Sequence, residues 1–376
     1  MYIKTKIFVF LFVFSLIGTF STKTAQAQDP NYSQFFSNPL YYNPAYTGIS
    51  QGLRTRLDYR KQWPNLRNDF QTYNFNADVS IREFPGSGGL GLMFDKDRAG
   101  AGFLETSTAS LLAAVRIRLT ETIFTQVGIM SSFVQKNVNW DKYVFTDQIN
   151  PRYGNIYETG FITPGNDQLS YPDFNVGAVF RFAQPSHSTT NIFGTFGFAV
   201  HHVFAPSVSF FDNSAPLPRK YVIHADMIIE TEGYTKRYSS SRNRSSHNYS
   251  EKKINPGIYY EKQGEFQTIA LGLNMYYKSL YGGIWYRNSE FSFANAESLV
   301  LLLGINTIFN KVSRVKVMYS YDLALDDDLL KTGGAHEISL IFELDNVSLF
   351  GGSSSSFGNK YKAGKNKYEM MECSPF

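Results

Sequence analysis

The chain of 376 residues has little of three things: it has one cysteine, 18% charged residues and, after its N-terminal stretch, no long apolar run. The single cysteine, Cys373, cannot form an intramolecular disulfide. A membrane-spanning helix needs about 20 consecutive apolar residues, so a polytopic helical membrane protein is excluded. The net charge is a mild +4, and the 36 basic residues form no single stripe, which gives nucleic-acid binding little support.

Aromatic residues, by contrast, are abundant. They make up 16% of the chain, with 33 Phe and 25 Tyr, and 43% of all residues are hydrophobic, yet the mean hydropathy is -0.25. This composition excludes intrinsic disorder, which needs low hydrophobicity and high charge. The apolar residues must therefore be dispersed along the chain. The length is compatible with two or three soluble domains of about 100–200 residues each or with one large β-barrel.

The N-terminal residues 1–27 have the three parts of an export signal. Lys4 and Lys6 form the charged region, residues 7–20 form the apolar region, and Ala25-Gln26-Ala27 is the small-x-small cleavage site. An N-terminal anchor helix is the alternative, but the apolar run is shorter than a spanning helix requires. We expect cleavage and export from the cytoplasm. The absence of a nearby cysteine excludes a lipidated N-terminus.

Alternation with a period of two dominates the rest of the chain. In residues 71–82 every second residue from Tyr73 to Ile81 is apolar, which sends two rows of side chains to opposite faces of a strand. A soluble β-sandwich would alternate too, but here segments of roughly ten residues recur from near Leu53 to Leu344. The clearest others are residues 107–119, 174–182, 220–232, 266–278, 297–309, 313–323 and 337–344, with weaker ones near Leu53, Gly88, Ile123, Ile192, Ile254 and Tyr281. About fourteen strands, an even number, predict an all-β transmembrane antiparallel β-barrel of the outer membrane.

The connections between these strands alternate in length, as expected when short periplasmic turns alternate with longer outer loops. The predicted inner turns are residues 83–87, 120–121, 183–191, 279–280 and 310–312. The predicted outer loops are residues 61–70, 95–102, 137–170, 205–218, 288–296 and 324–334. One pair breaks the rule, because residues 233–253 form a long inner connection and residues 262–265 a tight outer one. Either the strand count slips there or the barrel carries a long basic segment on its periplasmic side, and we favour the second.

Aromatic and charged residues are assigned to different parts of the barrel. Tyr, Trp and Phe form girdles at the membrane interfaces of such proteins, although β-propensity enriches the same residues in any strand. The girdle candidates are Tyr259-Tyr260, Tyr276-Tyr277, Trp285-Tyr286 and Tyr319/Tyr321. Charged residues opposite the apolar row are predicted to point into the lumen, where a charge is less costly than against lipid. They are Arg116, Arg118, Arg181, Arg314, Lys316 and Glu343.

Motifs of catalysis, cofactor binding or metal binding are weak or missing. Residues 86–91 match G-x-G-x-x-G by letter but precede a strand, so no helix N-terminus can receive a pyrophosphate. His201 and His202 are neighbours in a strand and are expected to point to opposite faces, which favours structural histidines over a metal site. Residues 326–328, three aspartates, lack the spacing of a calcium loop and are interpreted as a solvated acidic loop. We therefore expect no catalytic, cofactor or metal site and no enzyme, and a lipid hydrolase is unsupported.

The most unusual stretch is residues 28–48, QDPNYSQFFSNPLYYNPAYTG. Two Asn-Pro steps, Asn38-Pro39 and Asn43-Pro44, interrupt it and bias the preceding residue away from helix. The surrounding apolar side chains are Tyr32, Phe35, Phe36, Leu40, Tyr41, Tyr42 and Tyr46. So many aromatic rings in one short segment must be buried. Two locations are open: the periplasmic mouth of the barrel or an interface with a partner.

This stretch resembles the PorP/SprF-type outer-membrane proteins of the type IX secretion system of Bacteroidetes. The resemblance rests on Asp29-Pro30, Ser33-Gln34-Phe35-Phe36, Asn38-Pro39-Leu40-Tyr41, Asn43-Pro44-Ala45 and Gly48, on residues 59–64 (YRKQWP), and on the ending Cys373-Ser374-Pro375-Phe376. It implies a non-catalytic barrel that acts in protein export across the outer membrane. In gliding bacteria it implies secretion and surface retention of a large adhesin through the adhesin's C-terminal domain. Implied partners include other secretion components, such as the periplasmic ring and the attachment complex.

The sequence thus predicts a signal peptide (1–27), a motif segment (28–48), a barrel (49–344) and a Gly/Ser/Lys-rich periplasmic tail (345–376). The motif residues expected to contact a partner or to form a plug are Ser33, Gln34, Phe35, Phe36, Asn38, Pro39, Tyr41, Asn43, Pro44 and Gly48. Outer loops 137–170 and 205–218 are expected to touch a surface adhesin, because binding function concentrates in loops. The tail either reaches a periplasmic partner or is a disordered end. Outer-membrane lipid surrounds the barrel, and the alternative function is a porin or hydrophobic-solute transporter.

Overall fold

The alternating segments form strands that close on themselves. The computed structural model describes residues 29–50, 52–66, 69–81, 88–100, 104–120, 122–163, 165–185, 190–211, 214–231, 252–289, 298–309, 313–325 and 329–345. Within these ranges the fourteen barrel strands are β1 (Gly52–Gln62), β2 (Phe70–Ile81), β3 (Gly88–Ala99), β4 (Leu104–Arg118), β5 (Ile123–Val138), β6 (Gln168–Pro185), β7 (Thr190–His201), β8 (Lys220–Thr231), β9 (Lys252–Gln263), β10 (Phe266–Tyr277), β11 (Leu280–Asn288), β12 (Ser298–Ile308), β13 (Ser313–Ala324) and β14 (Ala335–Asp345). Neighbouring strands are antiparallel, and β14 closes on β1 with Gly52 opposite Asp345. The predicted antiparallel barrel of fourteen strands is confirmed.

The remaining elements are short. They are the helical turns Pro39–Tyr42, Pro44–Tyr46, Trp140–Lys142, Thr146–Gln148 and Leu329–Thr332, and a two-residue hairpin that pairs Ile149–Asn150 with Gly154–Asn155. In the part of the chain that the structure describes, no helix is long and apolar enough to cross a membrane.

The two faces of the wall differ in polarity because successive side chains of a strand point to opposite sides. Outward-facing side chains such as Leu111 and Leu303 are apolar and about 70% exposed, at 72% and 69%. Inward-facing ones include Arg54, Asn76 and Ser339, which are polar and fully buried. The apolar belt faces lipid and the polar row lines the lumen, as in outer-membrane barrels.

The barrel has two distinct ends. At the end where β1 begins and β14 finishes, hereafter the termini end, the connections include residues 119–122 and 278–279. At the opposite end, hereafter the loop end, they include residues 139–167 and 202–219. Residues 264–265 form a tight turn at the loop end, where Gly264 has φ +59°. The connection between β8 and β9 is at the termini end, so the predicted strand count is correct at this point. Residues 232–251, which form this connection, lie outside the described residues, as do residues 82–87 and 310–312.

Two predicted loops are shorter than expected. β3 continues through Asp95 to Ala99, and the 137–170 loop begins only after Val138 and ends before Gln168. The polar residues that suggested a loop point alternately into the lumen and to the outside of the barrel. Asp95 accepts a hydrogen bond from Asn74 in the lumen at 2.5 Å, and Lys96 lies 3.2 Å from Glu105 on the outside. A strand that extends beyond the lipid can carry charge on both faces, which the alternation of hydrophobicity does not reveal.

Candidate functional site in the barrel lumen

Residues 29–49, hereafter the lumen plug, lie inside the barrel. Asp29 is at the loop end, where its backbone N–H donates to Gln263 Oε1 at 3.2 Å. Gly48 is near the termini end, where its N–H donates to Asp78 Oδ2 at 2.8 Å. Of the two locations left open by the sequence, the barrel interior is the one observed. The segment is not confined to the periplasmic mouth, however, because it extends through most of the height of the lumen.

Aromatic stacking holds the middle of the plug. The Phe35 ring stacks on Tyr259 with centroids 4.5 Å apart and meets Trp285 edge-on at 4.6 Å, while Phe36 stacks on Trp285 at 5.8 Å. Tyr259 and Trp285 are both 2% exposed. The girdle prediction is therefore wrong for these two residues, whose rings point into the lumen, and for Tyr276, which packs against the same buried cluster. Alternation leaves their sequence neighbours Tyr260 and Tyr286 on the outer face.

A buried carboxylate binds the plug backbone. Glu337 on β14 accepts hydrogen bonds from the N–H groups of Ser33 at 2.7 Å and Gln34 at 3.2 Å. The Gln34 side chain donates to the Glu337 backbone oxygen and to Ser320 Oγ, both at 3.1 Å. Arg60 lies 3.4 Å from Glu337 and also contacts Ser33 Oγ. Glu337 thus satisfies backbone donors that would otherwise be unpaired in a closed site.

The two Asn-Pro steps fold and attach the plug. Pro39 and Pro44 each occupy the first position of a helical turn, where the missing N–H is not needed. Asn43 Oδ1 accepts from the Ala45 N–H at 3.0 Å, and its Nδ2 donates to carbonyl oxygens of the wall. Asn38 Oδ1 accepts from Asn76 Nδ2 at 2.8 Å. Each asparagine therefore links a turn of the plug to the polar inner face.

Glycines in the wall leave room for this close approach. A Cβ at Gly128 would come closer than 3.0 Å to the Pro44 oxygen, and one at Gly177 equally close to Asn43 Oδ1. A Cβ at Gly89 would overlap the backbone of Gly48 in the same way. A strand glycine often marks such a close approach. Gly89 lies within residues 86–91, at an x position of the G-x-G-x-x-G pattern, so this glycine-rich stretch has a packing role here.

At the loop end, Asp29 is bound by a charged cluster that we call the Asp29 latch (Asp29, Asp173, His202, Lys220). Asp29 Oδ2 lies 2.8 Å from His202 Nε2 and 3.2 Å from Lys220 Nζ, and His202 Nδ1 lies 3.0 Å from Asp173 Oδ2. Burial by itself would raise the pKa of Asp29, but His202 and Lys220 hold that pKa well below its usual range. Burial by itself would lower the pKa of His202, but Asp29 and Asp173 raise it to about 9. Asp29 is therefore a carboxylate and His202 an imidazolium near neutral pH.

The backbone turns at His202, so the expected opposite orientation of the two histidines is wrong. His201 ends β7, and His202 has φ +56°, which brings its ring back to the inside. The ring centroids are 6.4 Å apart, and His201 Nε2 lies 2.9 Å from the Tyr42 backbone oxygen. Both histidines thus contact the plug. Among the described residues, no group of three or more His, Cys, Asp or Glu side chains could hold a metal ion.

Two segments at the loop end pack together through a cluster of aromatic rings. We call this cluster the loop-end patch. Its rings are Trp140, Tyr143, Phe145, Phe161, Phe210 and Phe211. Trp140 lies 6.2 Å from both Phe210 and Phe211, which joins the 139–167 and 202–219 connections. In the same 139–167 connection, Tyr153 is 66% and Ile162 89% exposed. The described part of the longest connection therefore exposes apolar side chains at the surface.

Comparison with known proteins identifies the relatives of this barrel. A family model described as type IX secretion system membrane protein PorP/SprF matches residues 24–342. The chain belongs to the PorP/SprF family. No curated protein sequence matches it.

Several solved structures are similar to this PorP/SprF member, all at low sequence identity. The TodX monoaromatic hydrocarbon channel deltaS2S3 mutant is 9% identical, with 81% of this chain and 92% of that chain covered and a TM-score of 0.45. The Ralstonia pickettii toluene transporter TbuX is also 9% identical, with the same coverage and a TM-score of 0.44. The beta domain of the Bordetella autotransporter BrkA is 9% identical, with 78% of this chain and 99% of that chain covered and a TM-score of 0.38.

All of the motif residues singled out from the sequence lie in the lumen plug of this PorP/SprF barrel. Most of them contact the wall, whereas Tyr41 also donates from its hydroxyl to the Pro30 oxygen at 2.8 Å and closes the plug on itself. Sequence reasoning missed the residues that receive the plug: Glu337, Asp78, His202, Lys220 and the glycines at 89, 128 and 177. Glycines inside strand patterns are the one signal that could have pointed to them. Residues 326–328 and Cys373 lie outside the described residues.

Proposed function

We propose that this outer-membrane barrel serves the type IX secretion system by holding the C-terminal domain of a specific secreted adhesin during its export or attachment to the cell surface. Membership of the PorP/SprF family supports a role in type IX secretion. The proposal also includes four finer points: the partner is an adhesin, the barrel takes part in gliding motility, the chain comes from Bacteroidetes, and it has no catalytic activity. Periplasmic ring or attachment-complex proteins are its further proposed partners.

The observation that carries the proposal is the packed lumen. The plug is bound at both ends and fills the middle with Phe35 and Phe36 against Tyr259 and Trp285. A barrel occupied in this way offers its loops, and not an open pore, to a large substrate. The loop-end patch provides that surface, since a few residues, among them Trp and Tyr, contribute most of the binding energy of protein interfaces.

The test is co-purification of a large surface protein with the full-length barrel from solubilised outer membranes. Tyr153→Asp combined with Ile162→Asp places charge on the exposed part of the patch and should abolish co-purification while the barrel remains folded. Leu66→Asp is the matched control, because Leu66 is 40% exposed on the β1–β2 connection at the same end. The control should retain the partner.

Two results would contradict the proposal. One is secretion and anchoring of the adhesin in a strain that lacks the gene. The other is a clear solute-specific conductance of the purified barrel in planar bilayers, which would favour a porin or hydrophobic-solute transporter.

A further inference from the structure

We infer that the lumen plug leaves the barrel at the loop end, so that the processed N terminus of this chain is displayed on the outside of the cell. The inference concerns the path of the chain and does not depend on the identity of any partner. It combines three observations: the position of Asp29, the order of contacts along the plug, and the start of β1.

Asp29 lies among residues that mark the loop end of three consecutive strands. Lys220 is the first residue of β8, Gln263 is the last residue of β9, and His202 directly follows β7. Asp29 contacts all three, at 3.2, 3.2 and 2.8 Å. Its side chain is 22% exposed, whereas that of Lys220 is 4% exposed. Asp29, the first residue that the structure describes, therefore lies at the loop-end mouth.

The contacts of the plug begin near the loop end and continue into the interior of the lumen. Ser33 and Gln34 bind Glu337, which is two residues from the loop-end start of β14. Asn43 reaches the carbonyl oxygens of Ala178 and Phe198, in the interior of β6 and β7. Between these contacts the plug folds on itself, because the Tyr41 hydroxyl donates to the Pro30 oxygen and the Tyr42 oxygen lies 2.9 Å from His201 at the loop end. Its first residue, Asp29, is nevertheless at the loop end, and its last contacts, at Gly48, are near the termini end.

At the termini end the plug joins the wall. Asp78 accepts from the Gly48 N–H, and Arg116 Nη2 donates to the Gly48 oxygen at 3.1 Å. β1 starts shortly afterwards at Gly52. Because β1 has 11 residues, it spans roughly 36 Å along its axis at about 3.3 Å per residue. Even tilted by about 40°, such a strand covers the roughly 25 Å apolar band of an outer-membrane barrel. Asp29 thus lies at the far edge of that band.

The direction of the outside follows from the connections. Outer-membrane barrels have their longer loops on the extracellular side, and the longest described connection, residues 139–167, is at the loop end. An uncleaved anchor helix in the inner membrane would require residue 29 to start from the termini end. The observed path is therefore incompatible with an N-terminal signal that stays anchored in the inner membrane while the plug occupies the lumen, and cleavage of that signal is part of the inference.

The experiment compares two positions of a short epitope in the full chain on intact cells. An epitope inserted between Gln28 and Asp29 should bind antibody on intact cells, whereas an epitope added after Phe376 should bind only after the outer membrane is permeabilised. Binding of the first epitope only after permeabilisation would overturn the inference. N-terminal sequencing that recovers residues 1–27 on the outer-membrane protein would overturn it too.

Single cysteines in a Cys373→Ser background establish the orientation separately. Ile162→Cys at the loop end should react with a membrane-impermeant maleimide on intact cells, and Thr120→Cys at the termini end should not. The reverse pattern would show that the termini end faces outward and would sink the inference. Labelling of Ile162→Cys together with a hidden N-terminal epitope would show that the barrel is oriented as argued but the chain is threaded otherwise.

A crosslink tests the threading without an inserted epitope. Asn31 Nδ2 lies 2.8 Å from Glu261 Oε1 near the loop end of β9. In the same background, Asn31→Cys with Glu261→Cys should form a disulfide in isolated outer membranes. Asn31→Cys with Asp78→Cys, whose partner is at the termini end, should not. A crosslink only in the second pair, or in neither, would contradict the proposed path.

Discussion

Asn43 of the plug approaches Gly177 of the wall so closely that a Cβ on the glycine would lie within 3.0 Å of Asn43 Oδ1. On the same side, Asn43 Nδ2 donates to the Ala178 oxygen at 3.2 Å and to the Phe198 oxygen at 3.3 Å. The asparagine can reach these backbone groups only because β6 has no side chain at position 177. Plug and wall are therefore fitted to each other by a hydrogen-bonding residue on one and a glycine on the other.

Gly177→Ala is expected to push Asn43 away from the wall and to weaken the seating of the plug. Overpacking of this kind costs about 1–3 kcal/mol. Limited proteolysis of the folded barrel in detergent should then release the N-terminal segment faster than in the wild type. Gly282→Ala is the control, because the nearest atom to a Cβ there is the Leu302 oxygen at 3.8 Å. Equal proteolysis rates for the two variants would argue against the role of Gly177.

Glu337→Ala is expected to destabilise the plug through its backbone. The substitution leaves the N–H groups of Ser33 and Gln34 unpaired in a buried site, at a cost of about 1–3 kcal/mol for each group. Urea unfolding of the barrel in detergent should shift to lower concentration. Glu105→Ala is the comparison, since Glu105 pairs with Lys96 and Arg98 on the outer face at 30% exposure, where ion pairs contribute little. An equal shift in both variants would contradict this account.

Trp285→Ala is expected to remove the platform under Phe35 and Phe36. Truncation of a buried Trp typically costs about 3–5 kcal/mol, so the temperature at which the barrel loses its compact form on a semi-native gel should fall clearly. Tyr286→Ala, one residue further on the opposite face, should have a much smaller effect. Were Tyr286→Ala the more damaging change, the assignment of the two faces at this point would be wrong.

The strands could be predicted because a wall between lipid and a polar lumen forces a period of two on the sequence. The pattern found β2, and even the weaker strands near Ile254 and Tyr281. It failed at residues 95–99, where β3 continues beyond the apolar belt and Lys96 faces solvent. Beyond the lipid both rows can be polar, so alternation of hydrophobicity no longer marks the strand.

The plug segment could be recognised from its composition, but the wall residues that bind it could not be predicted. Phe35 and the Asn-Pro steps are local features, whereas Ser33 and its partner Glu337 are 304 positions apart. In adjacent aromatic pairs such as Trp285-Tyr286, the sequence did not show which ring points into the lumen, because a shift of one residue exchanges the two faces of a strand. The orientation of His202 depends on one backbone angle, φ +56°, which a strand pattern cannot indicate.

The Asp29 latch should make the stability of the plug depend on pH. The pKa of His202 is raised to about 9 from an ordinary 6.5, so its contribution is complete below about 6.5 and is lost as the pH rises through 9. The pKa of Asp29 is lowered from an ordinary 3.8, so its contribution is present above about 4 and is lost in stronger acid. The latch should therefore be strongest between about pH 4 and 6.5.

Thermal unfolding of the purified barrel between pH 5.5 and 10 checks this dependence. The wild type should lose stability as the pH rises from about 6.5 to 9, and His202→Gln should lack that loss because no imidazolium remains to be deprotonated. Lys220, which contacts the same Asp29 carboxylate, and Tyr41, whose ring lies under Lys220, are present in both proteins, so the comparison isolates the contribution of His202. Identical alkaline profiles would show that His202 does not control the latch.

Deletion of residues 29–47 is expected to open the lumen. The plug fills the space between Tyr259, Trp285 and Glu337, and the wall strands pair with one another independently of it. The deletion variant should therefore still form a barrel but show a large, steady conductance in planar bilayers, whereas the intact chain should show little. Glu337→Ala should give brief openings, because it loosens the plug without removing it. A conductance of the intact chain as large as that of the deletion variant would mean that the plug does not close the barrel, and the packed lumen would then no longer support a role confined to the loops.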